Sequence, residues 1–366
     1  MKASILGLGT WLPAQVRRNE DWPAGFAAQA QASGDRTFND IPPAVDELAV
    51  AILARDLALE QADPFLGARL RHVADPAQTA EEAEAEAARN ALAQAQVDPR
   101  DIDLVLSYSV VPERVGLPTA GSVAHLIGAE RALGLGIESA CASALTQLQI
   151  ACAHVEAGLA RYVLLTQSHL LLRAFPMMHP AAPGLGDAAS AMVVGTGPGL
   201  RVRSVCGATH GEFAYAVTWV RSQAERDAPW WCEGSDFRLS SKVPWQAKQL
   251  MRDTVTFGAE TLGQAARMAG IAVGDLSVLA TVQPRGFIPG AVAERLGLSR
   301  DCAVTTYEHI AHVGACGPVF NLGHASKSGR LTRGSKVGLY AQGASFTRAG
   351  AILEVTENCF QTEALA

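Results

Sequence analysis

Cys141 is the residue whose setting best suits covalent chemistry. The segment LGLGIESACASALTQLQIACAHVEAG reads as an apolar strand, Leu135 to Ser139, then a turn, then a helix running to about Gly158. Leu145, Leu148, Cys152 and Val155 recur at helical spacing and mark that helix's buried face. Small residues (Ala140, Ala142, Ser143, Ala144) surround the cysteine. A strand–turn–helix of this kind places a nucleophile on a sharp corner with its side chain exposed. The positive N-terminal end of the helix is expected to stabilise the thiolate and lower its pKa, which suits acyl transfer through a thioester. The pattern alone leaves a buried structural thiol open as the alternative. Cys152 lies on the apolar stripe and reads as core. Cys206, Cys232, Cys302 and Cys359 have no comparable setting, and Cys316 belongs to a small-residue turn.

Composition narrows the rest. The chain has 366 residues, of which 49% are hydrophobic and 18% charged, with a net charge of −6. So apolar a chain can build a large core, which rules out disorder. Its length suggests two domains or one large duplicated one. The acidic balance argues against general nucleic-acid binding, and no uncharged apolar stretch is long enough to span a membrane. The seven cysteines are odd in number and contain no CxxC pair, which fits neither a disulfide framework nor a zinc site. The expected setting is a reducing cytoplasm, with no metal. The first apolar run is broken by Gly7, Gly9 and Pro13, so Ala3 to Leu8 reads as a buried strand rather than a secretory signal.

The elements that must position Cys141 occur twice. EAARNALAQAQVDPRDIDLVLSYS reads as helix, turn and strand, and LGQAARMAGIAVGDLSVLATVQ repeats that plan about 170 residues later. A helix follows each (LPTAGSVAHLIGA, IPGAVAERLGLS), then a strand, turn and helix, then two apolar strands. Alternating strands and helices predict an α/β fold with parallel sheet covered by helices. The division expected is 1–200, carrying the nucleophile and an Ala-rich insertion over about 23–64, and 201–366, carrying a His-containing loop and a Gly-rich loop. Residues 208–250 hold Trp219, Trp230, Trp231 and Trp245, four of the six tryptophans. They are read either as lining an acyl channel or as a small local core.

These segments together resemble the 3-oxoacyl-ACP synthase III family of thiolase-like condensing enzymes. The resemblance lies in ILGLGTWLPAQVRRNED, in Gly67 and Arg71 of LGARLRHVADPAQTAEEAEAEAA, in the nucleophile turn ESACASALTQL, in Gly186 and Asp187 of LGDAASAMVVG, and in ASKSGRLTRGSKVGLYAQGASFTRAGAILEV. It implies a thiolase fold with duplicated halves in a layered α/β/α/β/α architecture, a homodimer, and an acyl-CoA or acyl carrier protein thioester as substrate, with no separate cofactor. Cys141 would carry the acyl group. Its backbone N–H and one from Gly343-Ala344-Ser345, assigned to Ser345, would hold the oxyanion at about 3 kcal/mol each. Leu117 matches a family phenylalanine that enters the neighbouring subunit's acyl pocket. Arg173 and His179 lie where the family contacts the nucleotide, and Trp245 and Phe346 are assigned to the substrate site.

The second and third catalytic residues of the family are absent. Its His-Gln-Ala-Asn stretch reads Val282-Gln283-Pro284-Arg285, so Val282 replaces the histidine. Its His-Gly-Asn-Thr-Ser stretch lies in YEHIAHVGACGP, which puts Ala311 at the asparagine with His312 beside it. His309 matches the non-catalytic histidine before the asparagine. Val282 and Ala311 offer no side-chain hydrogen bond to the enolate of a decarboxylating malonyl thioester. Loading of Cys141 is untouched, and His312, with His309 second, is the candidate general base. Glu308 is a possible orienting acid. Three readings follow: acyl transfer from Cys141 to a hydroxyl or amine, decarboxylative Claisen condensation, or a non-catalytic subunit that binds acyl carriers or a partner synthase.

Overall fold

In a computed structural model of the chain, the described residues are 2–32, 41, 44–220, 238–344 and 346–357. The strands are β1 (Ala3–Trp11), β2 (Gln15–Arg18), β3 (Leu70–Val73), β4 (Leu104–Ser109), β5 (Leu133–Gly136), β6 (Val163–His169), β7 (Ala188–Thr196), β8 (Leu200–Thr209), β9 (Thr218–Val220), β10 (Arg238–Ser240), β11 (Leu276–Thr281), β12 (Ala303–Val304), β13 (Lys336–Gln342) and β14 (Thr347–Val355). The helices are α1 (Phe26–Ala32), α2 (Glu47–Glu60), α3 (Ala80–Ala95), α4 (Ala120–Ile127), α5 (Ser143–Glu156), α6 (Pro244–Ala269), α7 (Ile288–Arg295), α8 (Tyr307–Ile310) and α9 (Gly317–Lys327). Helix α5 ends two residues before Gly158, whose φ of +70° provides the left-handed turn that stops a helix.

Ten strands form one sheet in the order β12-β11-β13-β14-β8-β1-β7-β6-β4-β5. Read outward from its centre, β1-β7-β6-β4-β5 is mirrored by β8-β14-β13-β11-β12. Both runs have two antiparallel pairings followed by two parallel ones. The sheet is therefore mixed, not parallel as the alternation of strands and helices suggests. The reason is connectivity. No α-helix separates β6 from β7, or β13 from β14, so each of those pairs runs antiparallel.

Alternate residues along the strands feed three cores. Leu104, Leu106, Leu165, Val278 and Leu339 pack with α5 and α9 between the halves. Val105, Leu164 and Val193 face α3 and α4. Leu276, Leu279 and Ile352 face α6, α7 and α2. The helix–sheet–helix–sheet–helix layering expected from the family resemblance is thus built by a period of two along each strand. Gly7 and Gly9 allow one layer to close. A Cβ on Gly7 would lie 2.2 Å from the Ala91 carbonyl oxygen, and one on Gly9 would lie 1.9 Å from that of Ala87. The glycines that interrupt the first apolar run let α3 lie directly on β1.

The 23–64 segment supplies α1 and α2. Helix α2 is fastened to the second half by three ion pairs, Arg55–Glu294 at 2.7 Å, Asp56–Arg300 at 2.6 Å and Glu60–Arg285 at 2.9 Å. No helix among the described residues is long and apolar enough to cross a membrane.

Candidate active site

Strand β5 ends at Gly136, three residues short of the predicted strand end. Ser139, the tight turn Ala140–Ala142 and α5 follow. Ala140 has φ +49°, a left-handed conformation that a residue with a Cβ adopts only at a cost. Ser143 stabilises the corner by accepting the Ser139 N–H through its hydroxyl at 2.9 Å. Gly343 supports it from below, where a Cβ would lie 2.0 Å from the Ser139 carbonyl oxygen. The result is Cys141 on a braced corner at the base of a cavity of about 530 Å³.

The Cys141 sulfur lies 3.5 Å from Nε2 of His312. Residues 171 positions apart in sequence are thus joined by the packing of the two halves. His312 is held through its backbone: its N–H donates to the Gly184 carbonyl at 2.9 Å, and its carbonyl accepts the Gly186 N–H at 3.0 Å. Gly186 must lack a Cβ, which would fall 2.1 Å from the Ile310 carbonyl oxygen. Its own carbonyl accepts Nδ1–H of His169 at 2.8 Å. The His169 and His312 rings meet edge to face, with centroids 5.6 Å apart. One short stretch, 184–186, therefore holds both histidines.

Burial dominates the electrostatics of this cluster. It pushes the Cys141 thiol up to about 12, only partly offset by the residue's own backbone N–H. It pulls His312 down to about 3, with His169 adding to the fall, and His169 down to about 4. The resting pair is thus neutral thiol beside neutral imidazole. Burial therefore works against the thiolate that the helix end is expected to favour. Among the described residues no acid orients the His312 ring; Nδ1 has no close hydrogen-bond partner there, and the Gln283 backbone is the hydrogen-bonding group that acts on the imidazole.

Gln283 ties the loops together. Its amide nitrogen donates to the Ala311 carbonyl at 3.0 Å and to the Thr306 hydroxyl at 3.1 Å, and its oxygen accepts from the Thr305 hydroxyl at 3.0 Å and Asn321 at 3.0 Å. Val282 and Ala311 are buried, and Ala311 turns the chain with φ +57°.

The other predicted residues divide. His179 lines the cavity against Phe175, with rings 5.0 Å apart. His309 is exposed, near His324, and is not among the cavity's wall residues. Glu308 pairs with Arg69 at 2.6 Å and orients no histidine. Arg173 is bound to Glu113 at 2.6 Å. Leu117 is 61% exposed, and Trp245 is 48% exposed outside the cavity walls. Phe346 is buried in a cluster with Phe213 and Leu250 and is not among the cavity's described wall residues. Ser345, Cys232, Cys359, Trp230 and Trp231 lie outside the described residues, as does the side chain of Trp219. His169, Tyr108 and Glu138 are cavity residues to which sequence reasoning assigned no role. Two carried a signal: His169 ends an apolar strand, and Glu138 is the one acid between Leu133 and Leu145.

Two profiles match the chain, 3-oxoacyl-[acyl-carrier-protein] synthase III over residues 135–211 and its C-terminal region over residues 266–355. The chain is 28% identical over 291 residues to β-ketoacyl-[acyl-carrier-protein] synthase III of Sphingopyxis alaskensis, covering 79% of this chain and 88% of that one. It is 25% identical over 354 residues to β-ketoacyl-[acyl-carrier-protein] synthase III 1 of Vibrio vulnificus, covering 96% and 99%. In fold it is similar to the Aquifex aeolicus synthase III (TM-score 0.76, 19% identity, 96% and 99% covered). The priming β-ketosynthase of the R1128 polyketide pathway gives a TM-score of 0.77 at 23% identity, with 97% of each chain covered. Xanthomonas campestris OleA gives 0.75 at 17% identity, again with 97% of each covered. Both profiles fall on segments that build the site, and the curated relatives span most of its length. Both halves of the chain thus match the 3-oxoacyl-ACP synthase III family, a family of thiolase-fold transferases.

Proposed function

We propose that this protein takes an acyl group from acyl-CoA or acyl carrier protein onto Cys141 and passes it to a hydroxyl or amine acceptor. The observation that carries this reading is the 3.5 Å contact between the Cys141 sulfur and His312 Nε2. A neutral imidazole acceptor beside a neutral thiol is a general base. His312 removes the thiol proton as sulfur attacks the thioester and gives it to the departing CoA or carrier thiolate; in the second half-reaction it removes the acceptor's proton and returns it to the Cys141 sulfur as the C–S bond breaks. The Cys141 N–H, with a second donor from the 343–345 loop, supports the oxyanion. Condensation needs donors toward an enolate, and Val282 and Ala311 have none on their side chains. Its support is the naming of the relatives as β-ketoacyl synthases.

The reading includes a cytoplasmic homodimer. Strand β5 is an outer edge of the large sheet, with Leu133 60% exposed and Leu135 also exposed, so pairing of two β5 edges would cover both the leucines and the open hydrogen-bonding groups. Leu117 would then approach the partner's site.

Intact mass after acyl-CoA, followed by carbon dioxide release after malonyl-CoA, tests the reading. An adduct that Cys141→Ala abolishes and that hydroxyls or amines discharge is expected. Carbon dioxide with a 3-oxo product would establish condensation instead, and no adduct at all would leave the non-catalytic reading.

A further inference from the structure

A base beside a nucleophile needs a third group to orient it, and among the described residues no acid does this for His312. The hydrogen bonds at Gly184 and Gly186 pin its backbone but leave its two side-chain torsions free. Turning the ring would take Nε2 out of its 3.5 Å contact with the Cys141 sulfur. His312 also sits in a loop, joined to its surroundings by a single bridge to Leu185.

His169 stands against that ring from a firmer base. The two imidazoles meet at 66° with centroids 5.6 Å apart, within the range of an edge-to-face pair. His169 ends β6, a strand bonded to β7 on one side and β4 on the other, and it is only 3% exposed. Its Nδ1–H donates to the Gly186 carbonyl at 2.8 Å. Gly314 lies so close that a Cβ there would stand 2.3 Å from its Cδ2, so the ring cannot retreat on that side. Gly186 in turn donates its N–H to the His312 carbonyl at 3.0 Å. The His169 ring cannot shift without disturbing the residue that also holds His312.

We propose that His169 is a positioning residue for the loading of Cys141: its ring, anchored on Gly186, keeps the His312 imidazole turned with Nε2 toward the sulfur. This deepens the function proposed above, since it rests on His312 as the base. No proton passes through His169, which acts by packing. An acid in its place would hold the ring by a hydrogen bond and would also favour the imidazolium, raising its pKa. A neutral imidazole supplies the contact without the charge. Burial keeps both rings unprotonated, His169 down to about 4 and His312 down to about 3, so the pair meets at neutral pH without like-charge repulsion.

The test is a double-mutant cycle on loading from octanoyl-CoA, read by single-turnover mass spectrometry. His169→Asn keeps a side-chain N–H donor but removes the ring. It is expected to lower the loading rate constant by about tenfold or more, while the half-saturating octanoyl-CoA concentration moves by less than about twofold. In a His312→Ala background the same substitution should change the rate by less than about twofold, because the residue it positions is gone. His169→Phe, which restores a ring without the Nδ1 donor, should recover part of the rate lost in His169→Asn. Either variant completes the cycle should the other fail to fold. Full-speed loading in these variants, or an equal loss with and without His312, would overturn the proposal and leave His312 as the base. Undiminished loading by His312→Ala alone would remove that base from the proposed function, and this proposal with it.

Discussion

At the scale of single residues, the site is a Cys–His pair whose partners are both kept neutral by burial. With the thiol at about 12 and His312 at about 3, no ionisation in the reacting pair falls near neutrality. His312 is a base only when unprotonated, which it is above about pH 3. The rate of loading is therefore expected to stay flat between about pH 5 and pH 9, measured by single-turnover mass spectrometry. An acidic limb near 6.5 would show a His312 titrating as an ordinary histidine. His312→Ala should slow loading by about 10²–10⁴-fold, the usual range for a positioned general base. Cys141 and His312 were legible in the sequence because both lie in motifs with a family counterpart. His309, Arg173 and Phe346 were assigned by position along such motifs. Position does not say which way a side chain points, and here one faces solvent, one pairs with Glu113 and one packs into a cluster with Phe213.

At the scale of elements, Glu84 shows how a helix is fixed on the sheet behind the nucleophile. It is fully buried on α3 and accepts hydrogen bonds from the hydroxyls of Thr119 (2.9 Å), Thr166 (2.7 Å) and Ser168 (2.7 Å). Burial is the largest influence and raises its carboxyl from 4.5 to about 7. The folded state therefore holds a proton that the unfolded chain releases above 4.5. That contribution is fully present below about pH 4.5 and is lost as pH rises to about 7, a change on the order of 3 kcal/mol. Thermal unfolding at pH 5 and pH 8 should show a Tm difference that Glu84→Gln largely removes. If the variant keeps the full difference, Glu84 is not its source. The acidic run TAEEAEAEAARN suggests a solvated helix face, yet Glu84 within it is wholly buried. The hydroxyls that make burial tolerable come from residues 35 to 84 positions away. Strand and helix types were legible from their apolar periods. The antiparallel pairs within each half were not, because pairing direction depends on how the chain crosses between strands.

At the scale of the whole molecule, the two halves meet where β1 pairs with β8 and across α5 and α9. The site lies at that meeting, with Cys141 from one half and His312 from the other. Light scattering is expected to give twice the 38.4 kDa of one chain, and Leu133→Glu should reduce it to a monomer. A wild-type monomer would refute the proposed β5 edge pairing. Three non-glycine residues with positive φ, Ala140, Ala311 and Phe346, belong to three loops that converge on the cavity, one beside Cys141, one beside His312 and one beside the 343–345 loop. Each costs on the order of 1–3 kcal/mol that a glycine would largely recover. Thermal robustness and turnover therefore draw on the same three positions. A library selected only for survival on heating should enrich Ala140→Gly, and that variant should melt higher yet load Cys141 more slowly. If it melts higher at full speed, the bend at Ala140 has no bearing on rate.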